Sequence, residues 1–347
     1  MKYTQQYWED ADKALLSIPD PEKLFHKTIL ITGGTGMICS AVTEILVRLN
    51  ERFDAGINIL IAVRTEEEIE TRFPGFLADK KLSFVKYDAT KPEALDIHAD
   101  YIIHAASNAH PAAYTAEPVE TILGNVLGLN TLLSMAVRNG VQRLLYFSSS
   151  EIYGEKKEAR PYVENDFGYV DILNPRACYP SSKRAAETLC VAYGQEYAID
   201  TVIVRPGHIY GPTIGAWDTR ASAQFSRDAA EGRNIVMKSA GAQLRSYCYT
   251  MDCASAILTV LLEGENGNAY NISNPQSICT IREIAEALAE AGGTEVVFEN
   301  PSDLEKKGYN MMSNSALDSK KLESLGWKPA FDLKAGAERT VRYLKNN

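Results

Sequence analysis

Residues 28–39 read Thr-Ile-Leu-Ile-Thr-Gly-Gly-Thr-Gly-Met-Ile-Cys. The run from Thr28 to Thr32 is nearly continuous apolar sequence, the pattern of a strand buried on both faces. Past the glycines, Met37, Ile38, Ala41, Val42, Ile45, Leu46 and Leu49 recur at helical spacing and mark one buried face. A buried strand, a glycine turn and an amphipathic helix in succession put the helix N-terminus at the strand's end. Unpaired N–H groups and a partial positive charge there favour a phosphate, and glycine lets the backbone approach it. Gly33, Gly36, Met37 and Ile38 are the expected contacts. The plainer alternative is a glycine turn without a ligand, and the surrounding strand and helix argue against it.

Working outward, further strands read at Ile57–Val63, Leu82–Tyr87, Tyr101–Ala105, Leu144–Ser148 and Thr201–Arg205, with helical stretches near 119–138 and 180–196. Strands alternating with helices predict an α/β fold, a doubly wound parallel sheet of the Rossmann type. After Pro206 the rhythm loosens into helices near 218–231, 251–263, 280–291, 316–324 and 333–345, with short strands at Ala269–Ile272 and Glu295–Phe298. The expected organisation is an N-terminal extension over 1–26, a dinucleotide-binding domain over 27–206, and a smaller C-terminal α/β substrate lobe over 207–347 whose segments cross back in places. Within the extension, Tyr3, Tyr7, Trp8, Ala11 and Leu15 fall at helical spacing and predict a short surface helix.

The 347 residues carry a formal net charge of -9, which argues against a nucleic-acid partner. Six cysteines show no paired metal spacing and fall largely in apolar segments, so reduced thiols and no metal are expected. The polar N-terminus is no signal peptide, and no apolar run approaches a membrane span, so a cytoplasmic protein without a membrane partner is expected.

The strand ending at Val63 is followed by Arg64 and three glutamates. An acidic residue at that end bonds a ribose 2′-hydroxyl, whereas an arginine suits a 2′-phosphate, so NADP stays open beside NAD. Tyr179-Pro180-Ser181-Ser182-Lys183 opens a helix, and residues four apart share a helix face. Lys183 is therefore expected beside Tyr179, where a cation favours phenolate and lets the tyrosine exchange a proton during hydride transfer.

With Ser148-Ser149-Ser150 ending the preceding strand, the chain resembles the extended short-chain dehydrogenases, the nucleotide-sugar epimerase/dehydratase family. The resemblance covers nearly everything from Lys27 onward. Gly33 and Gly36 match its glycine pattern, with Cys39 at the third position. His104-Ala105-Ala106, Asn125, Arg205-Pro206-Gly207-His208-Ile209-Tyr210-Gly211-Pro212, Arg245-Ser246-Tyr247 with Asp252, and Leu325-Gly326-Trp327 match further. It implies a bound nicotinamide cofactor, NAD, that oxidises a sugar, usually at C4. By the same resemblance Asp88, Ala89, Ala105 and Ala106 contact the cofactor and Ser149 bonds the reacting hydroxyl.

The residues after Ser149 carry the subtype. Dehydratases of this family place Asp-Glu there and simple 4-epimerases usually place no carboxylate; Ser150-Glu151 resembles the pair of UDP-glucuronate decarboxylases. Asn174-Pro175-Arg176-Ala177-Cys178-Tyr179 and His104-Ala105-Ala106-Ser107 followed by Pro111, Tyr114 and Pro118 resemble the same subgroup. Pro180-Ser181-Ser182, His208 and Arg64 depart from it. The resemblance implies Glu151 as a fourth catalytic group and Ser150 and Tyr114 as substrate contacts. Arg245 is the expected cation for the diphosphate or a sugar carboxylate. His104 reads as structural, and His110 is left without a role. The expected partner is a nucleotide-sugar, UDP-linked. A 4-epimerase, a ketosugar reductase and a non-enzymatic dinucleotide sensor are the alternatives. The resemblance also implies a homodimer through the helices near 119–138 and 180–196, where Leu123, Leu127, Leu132, Leu189 and Val191 extend the apolar surface.

Overall fold

Alternate residues of the first strand enter two different cores. Ile29 and Ile31 pack on one side and Leu30 on the other, all fully buried. Each such side chain contributes about 1.5–3 kcal/mol relative to exposure, which anchors this strand at the centre of the molecule. The computed structural model describes residues 3–109, 111–156, 160–215, 218–299 and 313–347. His110 lies outside the described residues.

Helix α1 (Gln5–Leu15) precedes β1 (Thr28–Thr32), α2 (Met37–Phe53), β2 (Asn58–Val63), α3 (Glu66–Arg72), β3 (Ser83–Lys86) and β4 (Tyr101–His104). There follow α4 (Pro111–Ala116), α5 (Pro118–Asn139), β5 (Arg143–Phe147), α6 (Cys178–Tyr197) and β6 (Thr201–Pro206). Then come β7 (His208–Tyr210), α7 (Ala221–Ala230), β8 (Ile235–Met237), β9 (Leu244–Tyr249), α8 (Thr250–Glu263) and β10 (Asn268–Ile272). The chain continues through β11 (Ile278–Thr280), α9 (Ile281–Gly292), β12 (Val296–Phe298), α10 (Lys320–Glu323) and α11 (Leu333–Lys345).

Seven strands form one parallel sheet in the order β10-β6-β5-β4-β1-β2-β3. The order reverses between β1 and β4, so the connections leaving their C-terminal ends turn to opposite faces of the sheet and open a crevice, the usual ligand position of doubly wound sheets. Helices α1, α2 and α8 cover one face; α5 and α6 cover the other. Strand β10 belongs to this sheet although it lies beyond Pro206, because Ala269 and Asn271 register with Ile203 and Arg205 of β6. Smaller sheets, β11-β9-β7 and β12-β8, stand over the C-terminal edge with α7, α9 and α11.

Helix α1 is more than a surface cover. Tyr7, Ala11 and Leu15 are buried, and the hydroxyls of Tyr3 and Tyr7 donate to Glu44, a fully buried carboxylate of α2 that Arg72 pairs at 2.8 Å. All six cysteines are buried and free.

The expectation that no segment reaches membrane-span proportions needs correction. By length and composition α5 qualifies, with half of its apolar window buried inside the protein. One side of α5 packs on the sheet while Val119, Ile122, Leu123 and Leu127 stay exposed, so apolar residues lie on its outer side as well. Leu132, expected on that outer surface, is fully buried, and Leu189 is half-buried against the core.

Candidate active site

The β1–α2 turn is shaped by what cannot fit in it. Gly33 has φ +67°, and a Cβ there would lie 3.0 Å from the backbone nitrogen of Ala106. That close approach brings the ends of β1 and β4 together. Thr32 Oγ1 sits 2.7 Å from His104 Nδ1 and accepts from the backbone N–H groups of Ala105 and Ala106. Burial, and then Lys183, depress the His104 pKa to about 3, so the ring is a neutral structural partner. Gly36 caps α2 without a side-chain hydrogen bond, which leaves the helix N-terminus turned to the cleft. Cys39 is buried inside the core cluster, so the third position of the glycine pattern tolerates a small thiol.

A cavity of about 460 Å³ runs from this turn along the ends of β2, β3, β4, β5 and β6. Gly33, Gly36, Met37, Ile38, Arg64, Asp88, Ala89, Ala105, Ala106, Ser149, Tyr179 and Lys183 all line it. At one end Asp88 accepts from Thr90 N and Oγ1 at 2.9 and 2.8 Å. Burial opposes its charge, but those bonds and nearby Arg64 outweigh burial and hold the carboxyl below its usual range. Arg64 is mostly exposed and lies 3.4 Å from Glu68, so the rim carries both an arginine and a carboxylate.

At the other end α6 presents Tyr179 and Lys183 on one face, as the spacing predicts. Lys183 Nζ donates to the Phe147 carbonyl at 2.7 Å and stands 5.7 Å from the Tyr179 ring centre. Burial pulls its pKa down to about 7, with Glu187 and Cys190 opposing. Burial, and then the Glu151 carboxylate, push the Tyr179 hydroxyl well above its ordinary range; a hydrogen bond with Ser149 pulls the other way. Arg176 and Arg220 also pull it down, but desolvation of the ring is the largest influence. Asn125 reaches the same helix, donating to Ser182 Oγ at 2.9 Å.

Ser150, Glu151 and Tyr114 lie beyond the cleft-lining set, on the far side of Tyr179. Ser149 caps a turn over Ser150–Tyr153 by accepting from Glu151 N at 3.2 Å. That turn points Glu151 at Tyr114, whose hydroxyl donates to it at 3.3 Å. The Tyr114 ring stacks on Tyr179 with centres 5.1 Å apart, an arrangement worth about 0.5–1.5 kcal/mol beyond area burial.

Arg245 lies on β9 of the C-terminal lobe. Its side chain is buried opposite Cys279, donates to the Leu244 carbonyl at 2.9 Å and, like Ser150, Glu151 and Tyr114, falls outside the cleft-lining residues. The cation beside Tyr179 and Glu151 is Arg176, to which the sequence reading gave no role. Arg176 Nη2 lies 3.0 Å from Glu151 and 2.9 Å from the Tyr114 hydroxyl. Its position three residues before Tyr179, one helical turn away, is the signal that would have found it. Asp252 with Leu325–Trp327 is a packing device: the Asp252 carboxylate accepts from Ala330 N and Phe331 N, and Trp327 Nε1 donates to Ser255. Among the described residues no group of His, Cys, Asp and Glu is arranged to hold a metal.

The sequence pattern described as the NAD dependent epimerase/dehydratase family matches residues 29–273. UDP-glucuronic acid decarboxylase 1 of Xenopus tropicalis is 30% identical over 92% of this chain and 72% of its own length. UDP-glucuronic acid decarboxylase 6 of Arabidopsis thaliana is 31% identical over 89% of this chain and 86% of its own. Among solved structures, the dTDP-glucose 4,6-dehydratase of Streptomyces venezuelae, with NAD bound, superposes with a TM-score of 0.76 at 25% identity, covering 92% of this chain and 97% of that one.

Proposed function

The chain belongs to the NAD dependent epimerase/dehydratase family, and on that premise we propose that it decarboxylates a nucleotide-linked uronic acid, UDP-glucuronate, through a 4-keto intermediate. The observation that carries this reading is the convergence of Ser149 and Glu151 on Tyr179. NAD fits the cleft: Gly33 allows the close backbone approach, Gly36 leaves the N-terminus of α2 open, and Asp88 stands ionised at the adenosine end. Bound there, it supplies the acceptor for the C4 hydride and later the donor that returns it.

The residues divide the proton work. Ser149 bonds the C4 hydroxyl and Tyr179 takes its proton as the carbon is oxidised. With a ketone at C4, the C6 carboxylate is that of a β-keto acid. Carbon dioxide leaves, the C5–C6 electron pair passes to the C4 oxygen as an enolate, and C5 then takes a proton by way of Glu151. Tyr179 gives its proton back to the C4 oxygen when the ketone is reduced.

The relatives support the substrate: the Xenopus tropicalis and Arabidopsis thaliana proteins are UDP-glucuronic acid decarboxylases. In the same reading residues 27–206 with β10 hold the dinucleotide and most of 207–347 forms the substrate lobe. The assembly is a cytoplasmic homodimer through the exposed apolar residues of α5 and α6. The test is mass spectrometry on UDP-glucuronate incubated with enzyme and NAD. Carbon dioxide and a UDP-pentose are expected. Unchanged mass with inversion at C4 selects the 4-epimerase instead.

A further inference from the structure

Glu151, the carboxylate next to Tyr179, is engaged by a cation. Arg176 contacts both of its oxygens at 3.0 Å while also donating to the Tyr114 hydroxyl. The guanidinium lies 4.3 Å above the Tyr114 ring, and that ring in turn stacks on Tyr179. Arginine, tyrosine and tyrosine therefore form a stack that ends on the proposed C4 proton acceptor. The guanidinium plane is oriented before any substrate arrives, so little order is lost when it forks onto a second anion.

The other cations near the cleft have different commitments. Lys183 is held by the Phe147 carbonyl, Arg220 is chelated by Asp218 at 2.6 Å, and Arg64 stands at the opposite end beside Glu68. Arg245 sits on β9 opposite Cys279, donating to the Leu244 carbonyl. The Arg176–Glu151 pair differs in being partly open, with side chains 42% and 33% exposed. A partly exposed pair of this kind is held weakly, so exchanging its anion costs little.

We propose that Arg176 determines substrate specificity by receiving the sugar's C6 carboxylate in exchange for Glu151. This rests on the uronate reading above. Tyr179 meets the oxygen on C4, the carboxyl carbon is only two bonds from C4, and the Tyr114 ring links Tyr179 to the Arg176 guanidinium. A carboxylate replaces Glu151 like for like. A neutral hydroxymethyl group leaves the Arg176–Glu151 pair in place and gains no fork. The exchange leaves Glu151 with the Tyr114 hydroxyl as its partner, free of the cation and next to C5, where a proton is needed after carbon dioxide departs.

The experiment compares calorimetric binding of UDP-glucuronate, UDP-glucose and UDP to the NAD-loaded wild type and to Arg176→Gln and Arg176→Lys. The wild type is expected to prefer the uronate over the glucose by about tenfold or more. Arg176→Gln should erase most of that preference while UDP binding, the check on folding, changes less than about twofold. Arg176→Lys, which keeps the charge but loses the fork, should fall between. In Glu151→Gln uronate binding should hold or tighten, since the competing carboxylate is gone. An unchanged preference in Arg176→Gln, with carbon dioxide still released by the wild type, overturns the specificity role alone. A wild type that neither prefers the uronate nor releases carbon dioxide overturns the uronate reading with it.

Discussion

Lys183 reaches past Tyr179 and donates to the main-chain carbonyl of Phe147 at 2.7 Å, tying α6 to the end of β5. The contact fixes the ammonium beside the Tyr179 ring rather than on its hydroxyl. It also buries a cation whose pKa falls from 10.5 to about 7, chiefly through desolvation.

That burial has a measurable sign. Between about pH 7 and about pH 10 the unfolded chain binds a proton at Lys183 that the folded chain does not, so stability rises with pH through this window. Below it, the full cost of burying the charge is present. Lys183→Met removes the titration, so the wild type should gain stability relative to the variant as the pH is raised from about 6 to about 9. Urea unfolding at the two pH values checks it; a constant difference would contradict the assignment.

Tyr179→Phe removes the hydroxyl but keeps the ring stacked on Tyr114. Turnover should fall by about 10²–10⁴-fold, the usual worth of a positioned proton-transfer group. NAD affinity should change little, since the main dinucleotide contacts lie at the β1–α2 turn. Steady-state kinetics and cofactor titration on the same preparation separate the two effects.

Gly33→Ala puts a methyl 3.0 Å from Ala106 N at φ +67°. The left-handed backbone alone costs about 1–2 kcal/mol for a residue with a Cβ. Cofactor binding should weaken by an order of magnitude or more, because relieving the contact moves the turn away from the phosphates. Thermal unfolding with and without NAD reads both effects, and a large stabilisation by NAD retained in the variant would refute the placement.

Leu123, Leu127 and Val191 are exposed on α5 and α6. If these helices pair with a second copy, Leu127→Asp places a charge in an apolar contact, and the protein should sediment as a monomer at micromolar concentration. The same change at Leu16, an exposed apolar residue just beyond α1, should leave the assembly intact. A wild type that is itself monomeric removes the proposed interface.

Much of this protein was written locally. Thr28–Thr32 is apolar throughout because both faces of a central strand are covered, and the glycines after it announce the turn. The four-residue spacing of Tyr179 and Lys183 needed only a helix to bring them to one face. These features follow from interactions among near neighbours in sequence, and periodicity reports them directly. What sequence alone left open depends on partners far along the chain. Strand β10 joins the large sheet because β6 offers it an edge. Leu132 turns inward because of how α5 lies on the sheet. The upward pull on the Tyr179 hydroxyl comes chiefly from desolvation, a property of everything packed around it. The place of Arg176 beside Glu151 belongs to the same class: nothing local in the sequence pairs them, and the packing of Tyr114 against Tyr179 brings this guanidinium to the carboxylate.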